Sequence, residues 1–236
     1  MKRRVGILGG TFDPIHCGHL DLGAAVQRAL ELTSLLVVPA NVPPHRPPPI
    51  ASSFHRFGMV ALAVAGRPGW EASDLELLHD MPSYTAATLQ RLHERGFHPR
   101  ELFFVIGADA FLEIRSWKNY PGILESAQFA VVSRPGCAVD ALPGRLPDLA
   151  PRMTTTSGDA VVDGHASIFL INAPTADVSS TAIRQRRLAG QSISGLVPPG
   201  VEQHIEQHGL YTSMAAEQRE HDRLTNMAAG RLHGEG

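Results

Sequence analysis

Two histidines three residues apart, His16 and His19, stand between a short apolar run and a helical pattern. At the start of a helix, residues three apart lie on the same side, so both imidazoles can contact one ligand. Gly9 and Gly10 let a backbone approach an anion closely, and a helix N-terminus adds N–H groups and a positive dipole end. The segment 9–20 therefore predicts a phosphate site.

This segment differs from two widespread phosphate loops. It lacks the Gly-Lys-Ser/Thr ending of a Walker A loop and does not contain GxGxxG. The plain alternative is a Gly-Gly turn followed by solvated histidines. A zinc site at His16 and His19 is a second alternative, but a third ligand has no obvious place. We expect phosphate handling here and no metal ion held by protein side chains.

Two other segments place polar groups where ligands bind. Asp109 follows a strand-forming run and Gly107, so it is expected at the carboxyl end of a strand, where open α/β sheets bind ligands. Its carboxylate can accept from ribose hydroxyls or hold a metal-bound water. The segment 179–184 offers hydroxyls, N–H groups and Arg184 at another helix start, which suits triphosphate oxygens. For both segments, ordinary helix capping is the alternative.

The proline-rich loop 39–49 carries His45 and Arg46, two side chains that can be cationic. Prolines stiffen the loop and Arg46 can fork onto a phosphate, although a solvated loop is the alternative. Tyr84 and Thr85, at the start of a predicted helix, can offer N–H groups and a hydroxyl to a carboxylate. These residues are candidates for binding anionic groups of a ligand.

Apolar runs alternate with helical patterns, the order that produces a parallel sheet covered by helices. The first run, 5–8, is expected to end in a tight turn at Gly9 and Gly10. Ser83 is a candidate N-cap and Gly96 a helix stop. The predicted fold is α/β, a Rossmann-like open, mainly parallel sheet with helices on both faces. Further strands are expected at 35–38, 102–106, 129–133 and 167–171, and helices between the first two strands and at 53–65, 83–95, 180–189 and 200–207.

Two segments depart from this rhythm. The stretch 135–164 is rich in Pro, Gly and Asp and is expected to be a variable surface excursion. Residues 212–236 are polar and carry no motif, which fits a frayed helix or a disordered tail. We therefore expect one domain over 1–211, followed by this tail.

Composition excludes several classes of protein. The chain has 236 residues, 43% of them hydrophobic, and a formal net charge of -2, typical of a globular protein without the positive field that non-specific nucleic-acid binding needs. Its apolar runs are far shorter than the roughly 20 residues of a membrane span. No signal-peptide core follows the basic start, so a cytoplasmic location is expected. Cys17 and Cys137 have neither zinc nor disulfide spacing and should be reduced thiols.

The HxGH pattern within GGTFDPIHCGHL resembles the nucleotidyltransferase superfamily of adenylyl- and cytidylyltransferases. Over most of 5–211 the chain looks like the bacterial nicotinate-nucleotide adenylyltransferases. Several separated motifs in the right order are more specific than any one of them. They are Val38-Pro39, Pro43-Pro44-His45-Arg46, Pro82-Ser83-Tyr84-Thr85-Ala86, Gly107-Ala108-Asp109, Trp117 and Val178-Ser179-Ser180-Thr181-Ala182-Ile183-Arg184.

The resemblance implies that ATP and nicotinate mononucleotide react to give deamido-NAD and pyrophosphate, with Mg²⁺ accompanying ATP. It implies that Trp117 stacks on the pyridine ring. Catalytic roles would fall to Thr11, His16 and His19. ATP would be bound by Gly9, Gly10, Thr11, Phe12, His16, His19, Gly107, Asp109, Ser179, Ser180, Thr181, Ile183 and Arg184. The nicotinate nucleotide would be bound by His45, Arg46, Tyr84, Thr85 and Trp117.

Alternatives stay open at this point. One is another adenylyltransferase of the superfamily, acting on the amide mononucleotide or on phosphopantetheine. Another is a catalytically silent nucleotide sensor that keeps the fold. Both a monomer and a homodimer fit the sequence.

Overall fold

A single parallel sheet organises the computed structural model, which describes residues 3–44, 47–79, 81–155 and 166–213. Within these ranges seven strands pair in the order β3-β2-β1-β4-β5-β7-β6, and every pairing is parallel. The strands are β1 Val5–Gly10, β2 Ser34–Pro39, β3 Trp70–Ala72, β4 Leu102–Gly107, β5 Gln128–Val132, β6 Met153–Thr154 and β7 Ile168–Ile171.

Helices cover both faces of the sheet. One face carries α1, α2, α6 and α7, whose buried side chains share a core with Leu8 and Phe103. The other carries α3, α4 and α5, which pack with Ile7 and Phe104. Neighbouring residues of β1 and β4 thus point to opposite cores, as the period of two in a strand requires. The helices are α1 Cys17–Ala29, α2 Ser53–Val64, α3 Thr85–Glu94, α4 Ala108–Phe111, α5 Leu142–Arg145, α6 Ser180–Leu188 and α7 Pro199–Gln207.

The order of the strands fixes where a ligand binds. From β1 the sheet grows to one side through β2 and to the other side through β4, so the direction of winding reverses between β1 and β4. Open α/β sheets bind ligands at the carboxyl ends of the strands at such a reversal. The segments after β1, β4 and β5 therefore face one crevice.

The predicted Rossmann-like fold with helices on both faces is confirmed. The short edge strands β3 and β6 were not expected, because three and two residues are too few to show a period in sequence. No described helix has the length and apolar character needed to cross a bilayer.

The expected turn at Gly9 and Gly10 is wrong. Both residues lie within β1, where they pair with Val38 and Pro39. The chain turns later: Phe12 has a positive φ of 50°, and residues 13 and 14 form a turn. Gly10 is needed for space and not for turning, because a Cβ there would lie 2.8 Å from Cε1 of the Phe12 ring.

The expected N-cap at Ser83 is also wrong. Tyr84 is the N-cap of α3 and makes no side-chain capping bond. The Ser83 hydroxyl is engaged elsewhere, since it accepts from the backbone N–H groups of Asn41 (2.9 Å) and Val42 (3.2 Å). It therefore ties the start of α3 to the loop after β2. The predicted stop at Gly96 agrees with its φ of 87°.

The segment 135–164 is not simply a surface excursion over its described part. Residues 139–155 contain α5, β6 and two 3₁₀ turns. Side chains at helical spacing in this stretch are buried in the core that contains Ile7 and Phe104. This apolar spacing outweighs the proline and glycine content. The buried side chains are Val139, Leu142, Leu146 and Leu149. Residues 156–164 lie outside the described residues, as do 214–236 of the predicted tail.

Candidate active site

The loop between β1 and α1 brings the two histidines together. His16 is the N-cap of α1 and His19 is the third residue of the helix. Their rings are stacked, with centroids 3.7 Å apart and planes 27° apart. Phe12 packs edge-on against His19 at 5.0 Å. The predicted convergence of the imidazoles on one side of the helix start is therefore present.

The backbone sets the tautomer of His19. The His16 N–H donates to Nδ1 of His19 at 3.3 Å. A nitrogen that accepts carries no proton, so in its neutral form the His19 ring holds its proton on Nε2. Nε2 is then a hydrogen-bond donor at the N-terminus of α1, where backbone N–H groups already favour an anion.

His16 is buried, with 2% of its surface exposed. Burial and, to a lesser extent, the nearby Arg134 guanidinium lower its pKa to about 4. It is therefore neutral at physiological pH. Gly18 makes room for it: a Cβ at position 18 would lie 3.3 Å from Cε1 and Nδ1 of His16 and 2.9 Å from the Ala176 carbonyl oxygen. The glycine of HxGH is thus a packing requirement.

Asp13 fixes the loop from inside. It is 5% exposed, and its carboxylate accepts from the Ile50 N–H (2.7 Å), the Ala51 N–H (3.0 Å) and the Tyr211 hydroxyl (2.8 Å). Arg184 donates to its backbone carbonyl at 2.7 Å. One residue thereby joins the phosphate loop to the segment just after the proline-rich loop, to α6 and to Tyr211.

A buried arginine adds a second clamp. Arg56 is 1% exposed, and its guanidinium donates to the carbonyls of Thr11 (2.9 Å), Ala40 and Asn41 (3.3 Å). Because its N–H groups donate to backbone carbonyls, the Arg56 guanidinium stabilises the two loops and is not assigned to a ligand. Arg56 thereby joins the loop 39–49 to Thr11 of the phosphate loop, and the predicted His45 and Arg46 lie outside the described residues.

Asp109 and Arg134 both lie beside Gly107, where β4 and β5 end. Asp109 is exposed in the first turn of α4, at the predicted edge of the sheet. A Cβ on Gly107 would lie 2.5 Å from Oδ1 of Asp109 and 3.0 Å from Cγ of Arg134. Nη1 of Arg134 is buried and has no hydrogen-bond partner among the described residues. A buried cationic nitrogen in this state is suited to an anionic ligand.

The start of α6 uses its hydroxyls structurally. Ser179 caps the helix by accepting from the Ala182 N–H at 3.1 Å, and Ser180 donates to the Pro14 carbonyl at 2.8 Å. Arg184 donates to the Thr181 hydroxyl at 3.2 Å. The helix start is exposed and linked directly to the phosphate loop. Ile183 is fully buried in the core, so its side chain does not face the crevice.

Three of the predicted acceptor residues, Tyr84, Thr85 and Trp117, lie in the described part of the chain. Tyr84 and Thr85 begin α3, and the Lys118 ammonium lies 4.4 Å from the centre of the Tyr84 ring. Trp117, next to it, is half-buried and packs edge-on against Phe104 at 5.8 Å. The lysine that contacts Tyr84 at the start of α3 is thus the chain neighbour of Trp117.

Sequence reasoning missed the residues that hold this arrangement. Asp13 stood inside the motif, but its burial was not visible from the sequence. Arg56, Lys118, Arg134 and Tyr211 carried no motif of their own; their positions after strands or at the ends of elements were the only signals. The described part of the site offers backbone N–H donors, His19 and Arg134, which suit the binding and transfer of phosphate groups.

The comparisons with known proteins agree with this chemistry. The family model described as cytidylyltransferase-like matches residues 7–186. A probable nicotinate-nucleotide adenylyltransferase from Desulfatibacillum aliphaticivorans is 40% identical over 217 residues, covering 88% of this chain and 99% of that protein. One of the same name from Pectobacterium atrosepticum is 39% identical over 212 residues, covering 89% and 100%.

Solved structures share the fold. The Plasmodium falciparum nicotinic acid mononucleotide adenylyltransferase complexed with NaAD superposes with a TM-score of 0.68 at 18% identity, covering 89% of this chain and 97% of that one. A putative nicotinate-nucleotide adenylyltransferase from Vibrio parahaemolyticus gives a TM-score of 0.55 at 18% identity, with 89% and 95% covered. The extent of the family match and the identity to the curated relatives place this chain in the cytidylyltransferase-like family, among the relatives of nicotinate-nucleotide adenylyltransferases.

Proposed function

We propose that the protein transfers the adenylyl group of ATP to nicotinate mononucleotide, giving deamido-NAD and pyrophosphate, a step of NAD biosynthesis. The observation that carries the proposal is the stacked pair of His16 and His19 at the start of α1. Near them lies the buried Arg134 nitrogen that has no hydrogen-bond partner in the described part of the chain. The names of relatives about 40% identical over nearly their full length support the choice of substrates.

The transfer needs alignment more than acid–base chemistry. The 5′-phosphate of the mononucleotide is already anionic at pH 7, so its attack on the α-phosphate of ATP requires no general base. Phosphoryl transfer depends on in-line positioning and on neutralising charge as it develops. No covalent enzyme intermediate is required.

Donors at the strand ends would stabilise the charge. The Nε2–H of His19 and the backbone N–H groups at the N-terminus of α1 are the proposed hydrogen-bond donors to the phosphates. Arg134 adds a positive charge. His16, being neutral and buried, holds the His19 ring by stacking and can donate one hydrogen bond. Preorganised donors of this kind are usually the largest single contribution to catalysis.

The residues present fit the Mg²⁺ that would accompany ATP. Mg²⁺ prefers oxygen ligands and is often held by one carboxylate together with substrate phosphates. Asp109 offers an exposed carboxylate just after the carboxyl end of β4, whereas the Asp13 carboxylate already accepts three hydrogen bonds. When bound, Mg²⁺ would neutralise charge on the phosphate oxygens. Asp109 is its proposed contact, directly or through water.

The pyridine ring of the acceptor is assigned to the neighbourhood of Trp117. The indole offers a flat face for stacking, and the start of α3 at Tyr84 and Thr85 offers N–H groups to a carboxylate. The Lys118 ammonium adjoins this helix start and adds a positive charge. A carboxylate is therefore favoured over a neutral carboxamide. A cytoplasmic location and the absence of a nucleic-acid partner stay predictions.

Pyrophosphate release tests the proposal. The protein is incubated with ATP and Mg²⁺ and, separately, with nicotinate mononucleotide, nicotinamide mononucleotide, phosphopantetheine or no acceptor. We expect the nicotinate compound to give the highest rate and a product with the mass of deamido-NAD. A higher rate with either other acceptor would favour another adenylyltransferase of the superfamily. No pyrophosphate release with any acceptor would favour a nucleotide sensor without catalytic activity.

A further inference from the structure

Three histidines gather where α7 packs against α2, outside the phosphate loop. His55 lies in the first turn of α2, His204 lies in α7, and His208 is the C-cap of α7. Nδ1 of His55 and Nε2 of His204 are 3.1 Å apart. One ring nitrogen from each of the three residues lies within 4.8 Å of the other two.

The local backbone accommodates this arrangement. Gly58 lies one turn after His55, and a Cβ at that position would be 3.5 Å from Cε1 of His204, in ordinary contact. Position 58 therefore lies beside the His204 ring without crowding it. His55 and His204 are half-buried and His208 is exposed, so the space among the three nitrogens is reachable from solvent.

The nitrogen spacing is close to that of a metal centre. Zn²⁺ binds imidazole nitrogens at about 2.0–2.1 Å in tetrahedral geometry, which separates two ligand nitrogens by roughly 3.3 Å. The His55–His204 pair is already at 3.1 Å, and a rotation of the exposed His208 ring would bring in the third nitrogen. Three imidazole nitrogens suit Zn²⁺ and not Mg²⁺, which needs oxygen ligands.

We propose that His55, His204 and His208 form a Zn²⁺ site that joins α7 to α2, with water as the fourth ligand. The expectation that no protein side chain holds a metal considered only the surroundings of His16 and His19. These three histidines are brought together across 149 residues of sequence, from His55 to His204, by the packing of two helices.

The site would stabilise the C-terminal end of the domain. Four residues after the end of α7 stands Tyr211, whose hydroxyl binds the Asp13 carboxylate in the phosphate loop. A metal ion that fixes α7 on α2 therefore also restrains this contact. The role is structural: none of the three histidines contacts the residues assigned to phosphate transfer among the contacts the described chain makes.

Calorimetric titration of the chelator-treated full-length protein with Zn²⁺ tests the site. His208→Ala removes one exposed ligand, and His79→Ala is the matched control because His79 is an exposed histidine outside the cluster. Wild type and His79→Ala should bind one Zn²⁺ at least tenfold more tightly than His208→Ala. Equal affinity in all three proteins, or no binding by wild type, would overturn the proposal.

Thermal unfolding gives a second readout that does not depend on activity. At a free Zn²⁺ concentration about 100 times the Kd, the Tm of wild type and His79→Ala should rise by about 5–10 °C. The Tm of His208→Ala should barely change, and His55→Gln should behave in the same way. An equal rise in all four proteins would place the metal elsewhere, for example at His16 and His19, and would overturn the assignment.

Discussion

The Tyr211 hydroxyl donates a 2.8 Å hydrogen bond to Oδ1 of Asp13, 198 residues earlier in the chain. Both side chains are buried, and burial together with the Asp13 carboxylate raises the pKa of Tyr211, so the phenol stays protonated and remains a donor. This contact closes the domain by tying the segment after α7 to the loop that carries His16 and His19. It gives the Asp13 carboxylate one of its three described donors.

Removal of that donor should destabilise the protein. Tyr211→Phe leaves the ring but deletes the hydroxyl, and a hydrogen bond to a charged group contributes about 1.5–3 kcal/mol. The free energy of unfolding, measured by urea titration, should fall by that amount. Tyr120→Phe is the control, because its hydroxyl contacts Asp148 at an exposed position and at 3.4 Å. A similar loss in both variants would mean that the Asp13 contact is not special.

Gly18→Ala should damage the site through packing. A Cβ there would press on the Ala176 carbonyl at 2.9 Å and on the His16 ring at 3.3 Å. Overpacking costs about 1–3 kcal/mol, and displacing a positioned group by 1 Å can lower turnover about 10²-fold. Gly144→Ala is the control, since nothing lies within 4 Å of its Cβ. Unchanged kcat and Tm in Gly18→Ala would refute this account of the HxGH glycine.

The buried His16 should make stability depend on pH. Its pKa is about 4 in the folded protein against 6.5 for an ordinary histidine. Between these values the unfolded chain takes up a proton that the folded chain does not. The free energy of unfolding therefore falls as the pH falls through this window, by about 3 kcal/mol in total, and is unaffected above it.

The measurement compares urea unfolding of wild type and His16→Gln at several pH values from 7 to about 4. Carboxylates titrate in both proteins and cancel in the difference. The wild type should lose more stability than His16→Gln over this range, whereas His79→Gln, at an exposed position, should follow the wild type. Parallel curves for wild type and His16→Gln would show that His16 is not held neutral by the fold.

The acid mononucleotide should be preferred over its amide. A charge-assisted hydrogen bond contributes about 1–2 kcal/mol more than a neutral one, so two contacts at the start of α3 give a preference of about 10²-fold in kcat/KM. Lys118→Met and Thr85→Ala should reduce this preference. Trp117→Ala should lower kcat/KM for both mononucleotides, because the pyridine ring on which Trp117 is proposed to stack is common to them. Equal wild-type efficiencies would defeat the carboxylate assignment.

Local patterns predicted the fold well and the support of the site poorly. The strands β1, β2, β4, β5 and β7 and the longer helices follow from apolar runs and helical spacing, which are properties of neighbouring residues. The HxGH segment predicted the His16–His19 pair for the same reason. The carboxylate of Asp13, by contrast, gains its meaning from partners at 50, 51 and 211, which only the tertiary fold supplies.

The wrong predictions for Ser83, Gly9 and Gly10 have a related cause. Ser83 has a side chain typical of an N-cap, but its hydroxyl accepts hydrogen bonds from the backbone of Asn41 and Val42 in the loop after β2. These residues lie about 40 positions earlier in the chain. Gly9 and Gly10 look like a turn, although the space for the Phe12 ring is what requires Gly10. Arg134 has no local signal at all beyond its place after β5.

Turnover of His19→Ala tests the central claim most directly. Formation of deamido-NAD from ATP and nicotinate mononucleotide is followed in wild type, in His19→Ala and in the surface control His79→Ala, with circular dichroism and Tm as checks of folding. Loss of one preorganised donor to developing charge lowers kcat by about 10²–10³-fold. We predict that loss in His19→Ala, with the fold intact and the control unchanged. Near-normal turnover in folded His19→Ala would contradict the assignment of this site.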